Sequence, residues 1–247
     1  MSEFDLEGSF PMRSSILLRG PPGSGKTEFL LDLANRWLLN REKVLYVAVS
    51  TSGEEILSRL TTMAGRGILS DRLVIIDCYR NNPSDSGDRL IVNINGLSHL
   101  ESITLAISTA VDGLGSPVRI IFDGLSTLFL HNAPQTMAKF FQVLSTRSKG
   151  EFGFILSSVV EGMHENMTMN TLMSLADGVI EVAVDSNMAR FIRVRYIKGR
   201  ESNPIWYQYK LRNGKVELKT AHFDEGSTDA TDRKLGDGNI YKRGDWF

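Results

Sequence analysis

Residues 20–27 read GPPGSGKT, and no other stretch restricts the chain as much. The stretch fits G-x-x-x-x-G-K-[ST], the pattern of a loop whose glycines let backbone N–H groups turn inward around an anion. Such a loop needs a buried strand before it and a helix after it, because the helix lends the anion the positive end of its dipole. Both flanks agree. SSILLRG (14–20) is a short apolar run ending in glycine, as a buried strand feeding the loop reads. Phe29, Leu30, Leu33, Ala34, Trp37 and Leu38 then recur at helical spacing from Thr27 to about Asn40. Gly20, Pro21, Pro22, Gly23, Ser24 and Gly25 form the expected cradle, with the three glycines allowing close backbone approach. Lys26 is expected to set its ammonium on terminal phosphates, and the Thr27 hydroxyl to ligate Mg²⁺.

The alternation of strand and helix continues beyond the loop. KVLYVAV (43–49), RLVIID (72–77), VRIIFD (118–123) and FGFILSS (152–158) read as strands, with helices at 54–65, 97–114 and 136–148 between them. This order predicts an α/β fold with a mainly parallel sheet and helices on both faces. From Asp177 the period changes to that of strands, with VIEVAV, ARFIRVRYIKG and IWYQYKL separated by turn residues, which predicts a C-terminal antiparallel meander. The expected organisation is one domain over 1–223. Residues 224–247 are too polar to bury a core, so a flexible or partner-docking tail ending in Trp246 and Phe247 is expected.

Composition sets outer limits. A chain of 247 residues with 42% apolar content can fill a sizeable core. A net charge of −1 provides no global field to gather nucleic acid, so only a local patch could bind it. The single cysteine, Cys78, cannot form an internal disulfide and suits a reducing compartment as a buried thiol. No run of eighteen apolar residues occurs, and MSEFDLEGSF lacks a basic segment followed by an apolar one, so a cytoplasmic chain without membrane insertion is expected. His99, His131, His164 and His222 show no paired ligand spacing, and no zinc site is expected.

A phosphate loop of this kind also needs a carboxylate near Mg²⁺ at the end of a neighbouring strand. Asp123, closing VRIIFD, fits. Asp77, closing RLVIID, is a rival by the same local pattern, but it precedes a long polar loop that could use it as a turn residue.

With these residues in place, the chain resembles the RecA-like ATPases, and within them the KaiC-like branch that includes RadA paralogues and the archaellum ATPase. The resemblance runs from about Phe10 to Leu218 through SFPMRSSILLRGPPGSGKT, VLYVAVSTSGEEI, VRIIFDGLSTL, and LADGVIEV with RFIRVRYIKGR. It implies a RecA-like core, ATP with Mg²⁺ held by Thr27 and Asp123, and assembly of like subunits into a ring or filament. It also implies that Lys198 and Arg200 of K-x-R reach into a neighbour's pocket and touch the γ-phosphate.

One departure from that pattern matters. The resemblance implies a glutamate pair after the second strand to orient and deprotonate the attacking water, and here Ser50 and Thr51 follow VLYVAV. Neither hydroxyl accepts a proton near neutral pH as a carboxylate does. Glu54 and Glu55 follow within one helical turn and are the candidate substitutes, although acids there also serve as ordinary capping and dipole features. The expected protein is an ATP-binding switch with weak hydrolysis whose nucleotide lies between subunits and controls assembly or a protein partner. An active ATPase using Glu54 or Glu55, of recombinase-paralogue or motor type, is the alternative, and a DNA-binding accessory module is a third.

Three further features remain open at this level. Ser157 and Ser158 stand where a γ-phosphate sensor or a plain strand end would lie. Of the methionines in EGMHENMTMNTLM, Met169 and Met173 share helical spacing with Leu172 and Ala176, which predicts core, while the segment's lack of Lys and Arg argues against strong DNA binding. Arg193 and Arg195, with Arg190 nearby, form a basic strip suited to phosphate or to acids of the same or an adjacent subunit.

Overall fold

The computed structural model describes residues 10–79, 88–94, 96–201, 205–212 and 215–220. The expected tail at 224–247 lies outside the described residues. The strands are β1 (Ser14–Gly20), β2 (Val44–Ala48), β3 (Leu73–Asp77), β4 (Ile91–Asn93), β5 (Val118–Asp123), β6 (Gly153–Val160), β7 (Gly178–Val184), β8 (Arg190–Ile197), β9 (Tyr207–Arg212) and β10 (Lys215–Thr220). They form a single sheet in the order β10-β9-β8-β7-β1-β6-β5-β2-β3-β4. The pairs from β4 through β1 to β7 are parallel, and β7–β8, β8–β9 and β9–β10 are antiparallel. The mainly parallel sheet with an antiparallel extension is therefore present, with one correction: β7, read as part of the meander, runs parallel to β1.

The helices are α1 (Lys26–Leu39), α2 (Gly53–Ala64), α3 (Arg66–Leu69), α4 (Leu100–Leu114), α5 (Leu125–Leu128), α6 (Pro134–Arg147) and α7 (Asn166–Leu175), with a π turn over Ser148–Phe152. Alternation along the strands divides the core between the two faces. Ile16, Leu18, Tyr46 and Ile121 pack with Phe29, Leu30, Trp37 and Ile56 on the side of α1 and α2. Leu17, Leu45, Ile120 and Phe122 pack with Ile103, Phe141 and Leu172 on the side of α4, α6 and α7. Fully burying a side chain such as Phe29 or Leu30 contributes about 1.5–3 kcal/mol, so the two apolar layers fix the loop's flanking elements firmly.

Some boundaries differ from expectation for local reasons. α6 begins at Pro134, two residues early, because proline is favoured in a first helical turn. α4 begins at Leu100 rather than 97, after a turn in which His99 N–H donates to the Gly96 carbonyl. β4, β10 and the short helices α3 and α5 are additional to the expected set.

Candidate functional site

The carboxyl ends of β1, β5 and β6 meet at one edge of the sheet, the position at which open α/β sheets bind ligands. β1 ends at Gly20, where a Cβ would come within 2.7 Å of the Val182 carbonyl oxygen, so only glycine fits. Gly25 starts α1 with φ +82°, and a Cβ there would lie 2.9 Å from the Tyr209 hydroxyl, a second position that requires glycine. Between them the loop wraps the Lys26 side chain. Its ammonium donates to the carbonyls of Gly20 (2.9 Å) and Pro21 (2.8 Å). Burial holds the Lys26 pKa below the usual lysine value, against the pull of the Asp123 and Glu161 carboxylates.

Asp123 is buried at the end of β5 and held on both oxygens. Tyr46 O–H donates to Oδ2 at 3.0 Å, and Ser158 O–H donates to Oδ1 at 2.7 Å. Burial and the adjacent Asp123 carboxylate push the Tyr46 pKa well above its ordinary value, which keeps the phenol a donor. Lys26, Thr27, Asp123 and Ser158 all line one cleft of about 350 Å³, together with Ser50, Thr51, Glu55 and Arg59. Thr27 and Asp123 offer one hydroxyl and one carboxylate oxygen set, the hard donors that Mg²⁺ takes when phosphate and water supply the rest. Among the described residues no group of three or more His, Cys, Asp or Glu could hold a metal by itself.

Other candidates separate clearly. Asp77 lies outside this cleft and accepts the N–H groups of Gly53 (2.7 Å) and Tyr79 (2.8 Å), so it shapes the turn into α2. Glu55, the residue whose N–H is capped by Ser52 Oγ at 3.3 Å, faces the cleft, whereas Glu54 lines a separate hollow with Thr61 and Arg66. Ser158 belongs to the cleft. Ser157 points to the opposite face, beside Leu17 and Phe122 in register, and its hydroxyl has no hydrogen-bond partner among the described residues. Lys198 Nζ donates to the Ser174 carbonyl at 2.8 Å, and Gly199 follows it with φ +75°, at the sheet end remote from the loop. Arg200 N–H donates to the Ile197 carbonyl in the same turn.

The basic strip is tied within the chain. Arg193 and Arg195 donate to Glu181, a buried acid, at 2.7 and 2.6 Å, and Arg193 stacks 4.3 Å over Trp206. Met169 is buried and Met173 packs on the same core cluster, as their spacing predicts, while Met163 lines the cleft. Cys78 is buried.

Two cleft features were missed by the sequence reading. Arg59 stands four residues after Glu55 on α2, so helical spacing from the candidate acid would have found it. Ser126, just past Asp123, accepts the Val160 N–H at 2.8 Å and lies 2.8 Å from His164 Nε2, a long-range pair that no local pattern encodes.

The sequence model of the KaiC ATPases matches residues 2–221. The chain belongs to the KaiC ATPase family. A solved KaiC-like protein from the hyperthermophilic archaeon Pyrococcus horikoshii OT3 shares the fold with a TM-score of 0.66 at 14% identity, covering 89% of this chain and 96% of that one. A comparison with curated protein sequences gives no match. As a KaiC-family ATPase domain with a RecA-type core, the chain is a nucleotide-binding protein. Among the described residues of this KaiC-family chain no helix is long and apolar enough to cross a membrane.

Proposed function

We propose that this chain binds ATP with Mg²⁺ in the cleft beside the glycine-rich loop, and that Lys198 and Arg200 of a neighbouring copy complete the site. The nucleotide then acts as an assembly or partner-choice ligand and is turned over slowly. The observation that supports this reading is a cleft lined by Lys26, Thr27 and Asp123 to which Ser50 and Thr51 contribute hydroxyls in place of the expected glutamate pair, with Ser50 Oγ 3.2 Å from Thr127 Oγ1. Hydroxyls can position water but do not take its proton at neutral pH. In phosphoryl transfer, positioning and charge stabilisation supply most of the catalysis, so the loss slows turnover and leaves binding intact.

Lys198 N–H donates to the Asp177 carbonyl, and Asp177 N–H to that of Ser15, so the K-x-R turn lies level with the start of β1. The loop begins five residues later, about 16 Å along the strand, which is beyond the reach of a lysine of the same chain. That separation favours action on a second copy. When bound, Mg²⁺ would neutralise phosphate charge at Thr27 and Asp123.

The second reading, a working ATPase, draws on Glu55, which lines the cleft as Glu54 does not. Calorimetric ATP binding and phosphate release on the same preparation separate the two. The switch reading expects saturable binding lost in Lys26→Ala, with slow release indifferent to Glu55→Gln. Fast release abolished by Glu55→Gln would establish the second reading instead.

A further inference from the structure

We infer that Tyr46 is a positioning residue for Asp123, and that its hydroxyl sets which divalent cation the nucleotide site prefers. The inference rests on the reading that this cleft takes a nucleotide with a cation. A carboxylate at a strand end ordinarily turns about its two side-chain torsions. Here neither oxygen is left to do so. Ala48 and Asp123 are register partners on β2 and β5, and Tyr46 stands two residues before Ala48 on the same face, which brings its ring beneath the carboxylate. Its hydroxyl holds Oδ2 at 3.0 Å.

The partner on the other oxygen has a fixed proton. Gly124 N–H donates to Ser158 Oγ at 2.9 Å, so the Ser158 proton is directed to Asp123 Oδ1 at 2.7 Å. Both donors are neutral hydroxyls, and the Lys26 ammonium spends hydrogen bonds on the carbonyls of Gly20 and Pro21. Asp123 is therefore a buried, oriented anion whose charge stays available to a cation. Mg²⁺ demands short bonds in near-ideal octahedral geometry, whereas Ca²⁺ accepts longer and less regular ones. A carboxylate pinned at both ends favours the more exacting ion, and freeing one end removes that advantage.

The test uses Tyr46→Phe, which keeps the buried ring and deletes one hydroxyl, with Ser158→Ala as an independent release of the other oxygen. ATP binding to the full chain is measured by calorimetry across Mg²⁺ and Ca²⁺ series and in EDTA, alongside thermal unfolding. In each variant the half-saturating Mg²⁺ concentration is expected to rise about tenfold. The Ca²⁺ value moves less, and in Tyr46→Phe, whose side chain is not part of the cleft lining, binding in EDTA stays at the wild-type level. An unchanged Mg²⁺ to Ca²⁺ ratio in both variants, with only the unfolding temperature lowered, reduces Tyr46 to packing and overturns the inference while leaving the nucleotide reading standing. Wild-type binding that ignores both cations removes the nucleotide–cation reading and the inference together.

Discussion

The phenolic hydroxyl of Tyr209, on β9, donates to the carbonyl oxygen of Ser24 inside the glycine-rich loop, across 185 residues of sequence. Arg190, on β8, lies behind Gly25 as well, 3.3 Å from where a Cβ would stand. The antiparallel extension thus does more than close the sheet. It seals the back of the loop and holds its backbone in the shape an anion requires.

Replacing Tyr209 by Phe leaves a buried carbonyl without its donor. The expected loss is about 1–2 kcal/mol of stability, with weaker ATP binding because the loop is less restrained. Urea unfolding and calorimetry on Tyr209→Phe check both parts. A variant as stable as the parent with unchanged affinity removes the clamp.

Arg59 lies 3.8 Å from Glu28, with 36% of its side chain exposed, and shares the cleft with Lys26. A half-exposed pair of this length contributes little to stability, so the guanidinium is free to serve an entering anion at small cost. Arg59→Ala is expected to weaken ATP binding about fivefold, with a shallower dependence on salt and little change in melting. Loss of melting temperature without loss of affinity would show a purely structural arginine.

Burial lowers the Lys26 pKa from the usual 10.5, while Asp123 and Glu161 pull the other way. Phosphate favours the charged ammonium, so affinity is full while the free protein keeps that proton and is lost as pH rises through the lowered value. A titration of ATP affinity on the alkaline side should therefore fall at a lower pH than an ordinary lysine would give. Constant affinity up to the usual lysine range contradicts the buried ammonium.

The Cys78 thiol is buried and its pKa is pushed up to about 12 by burial, with a smaller contribution from Asp77. At pH 8 almost no thiolate is present, and access is blocked as well. A thiol-reactive dye should leave the native protein unlabelled and modify one site per chain after denaturation. Rapid native labelling would mean that the region around β3 opens readily.

The sequence made some of this architecture plain and concealed other parts for physical reasons. Parallel strands covered on both faces leave contiguous apolar runs such as LVIID and VRIIFD, and so the central sheet could be read directly. Ile91–Asn93 is too short to show a period. The antiparallel pair β9–β10 has a local signal in the sequence, Asn213-Gly214 between Leu211 and Val216. Within the cleft, the loop and Asp123 lie in local motifs. Arg59 follows Glu55 at helical spacing, whereas Tyr46 and the Ser126–His164 pair depend on strand register and on contacts between distant elements, which no local pattern records.

The central claim is that one copy's cleft is completed by cations from the next. Sedimentation velocity of the wild type and of Lys198→Ala/Arg200→Ala, each with and without ATP and Mg²⁺, tests it most directly. The account expects a larger species for the wild type when ATP is bound, and a double variant that still binds nucleotide but fails to assemble. A wild type that remains a monomer when loaded with ATP, or a double variant that assembles as the parent does, contradicts it.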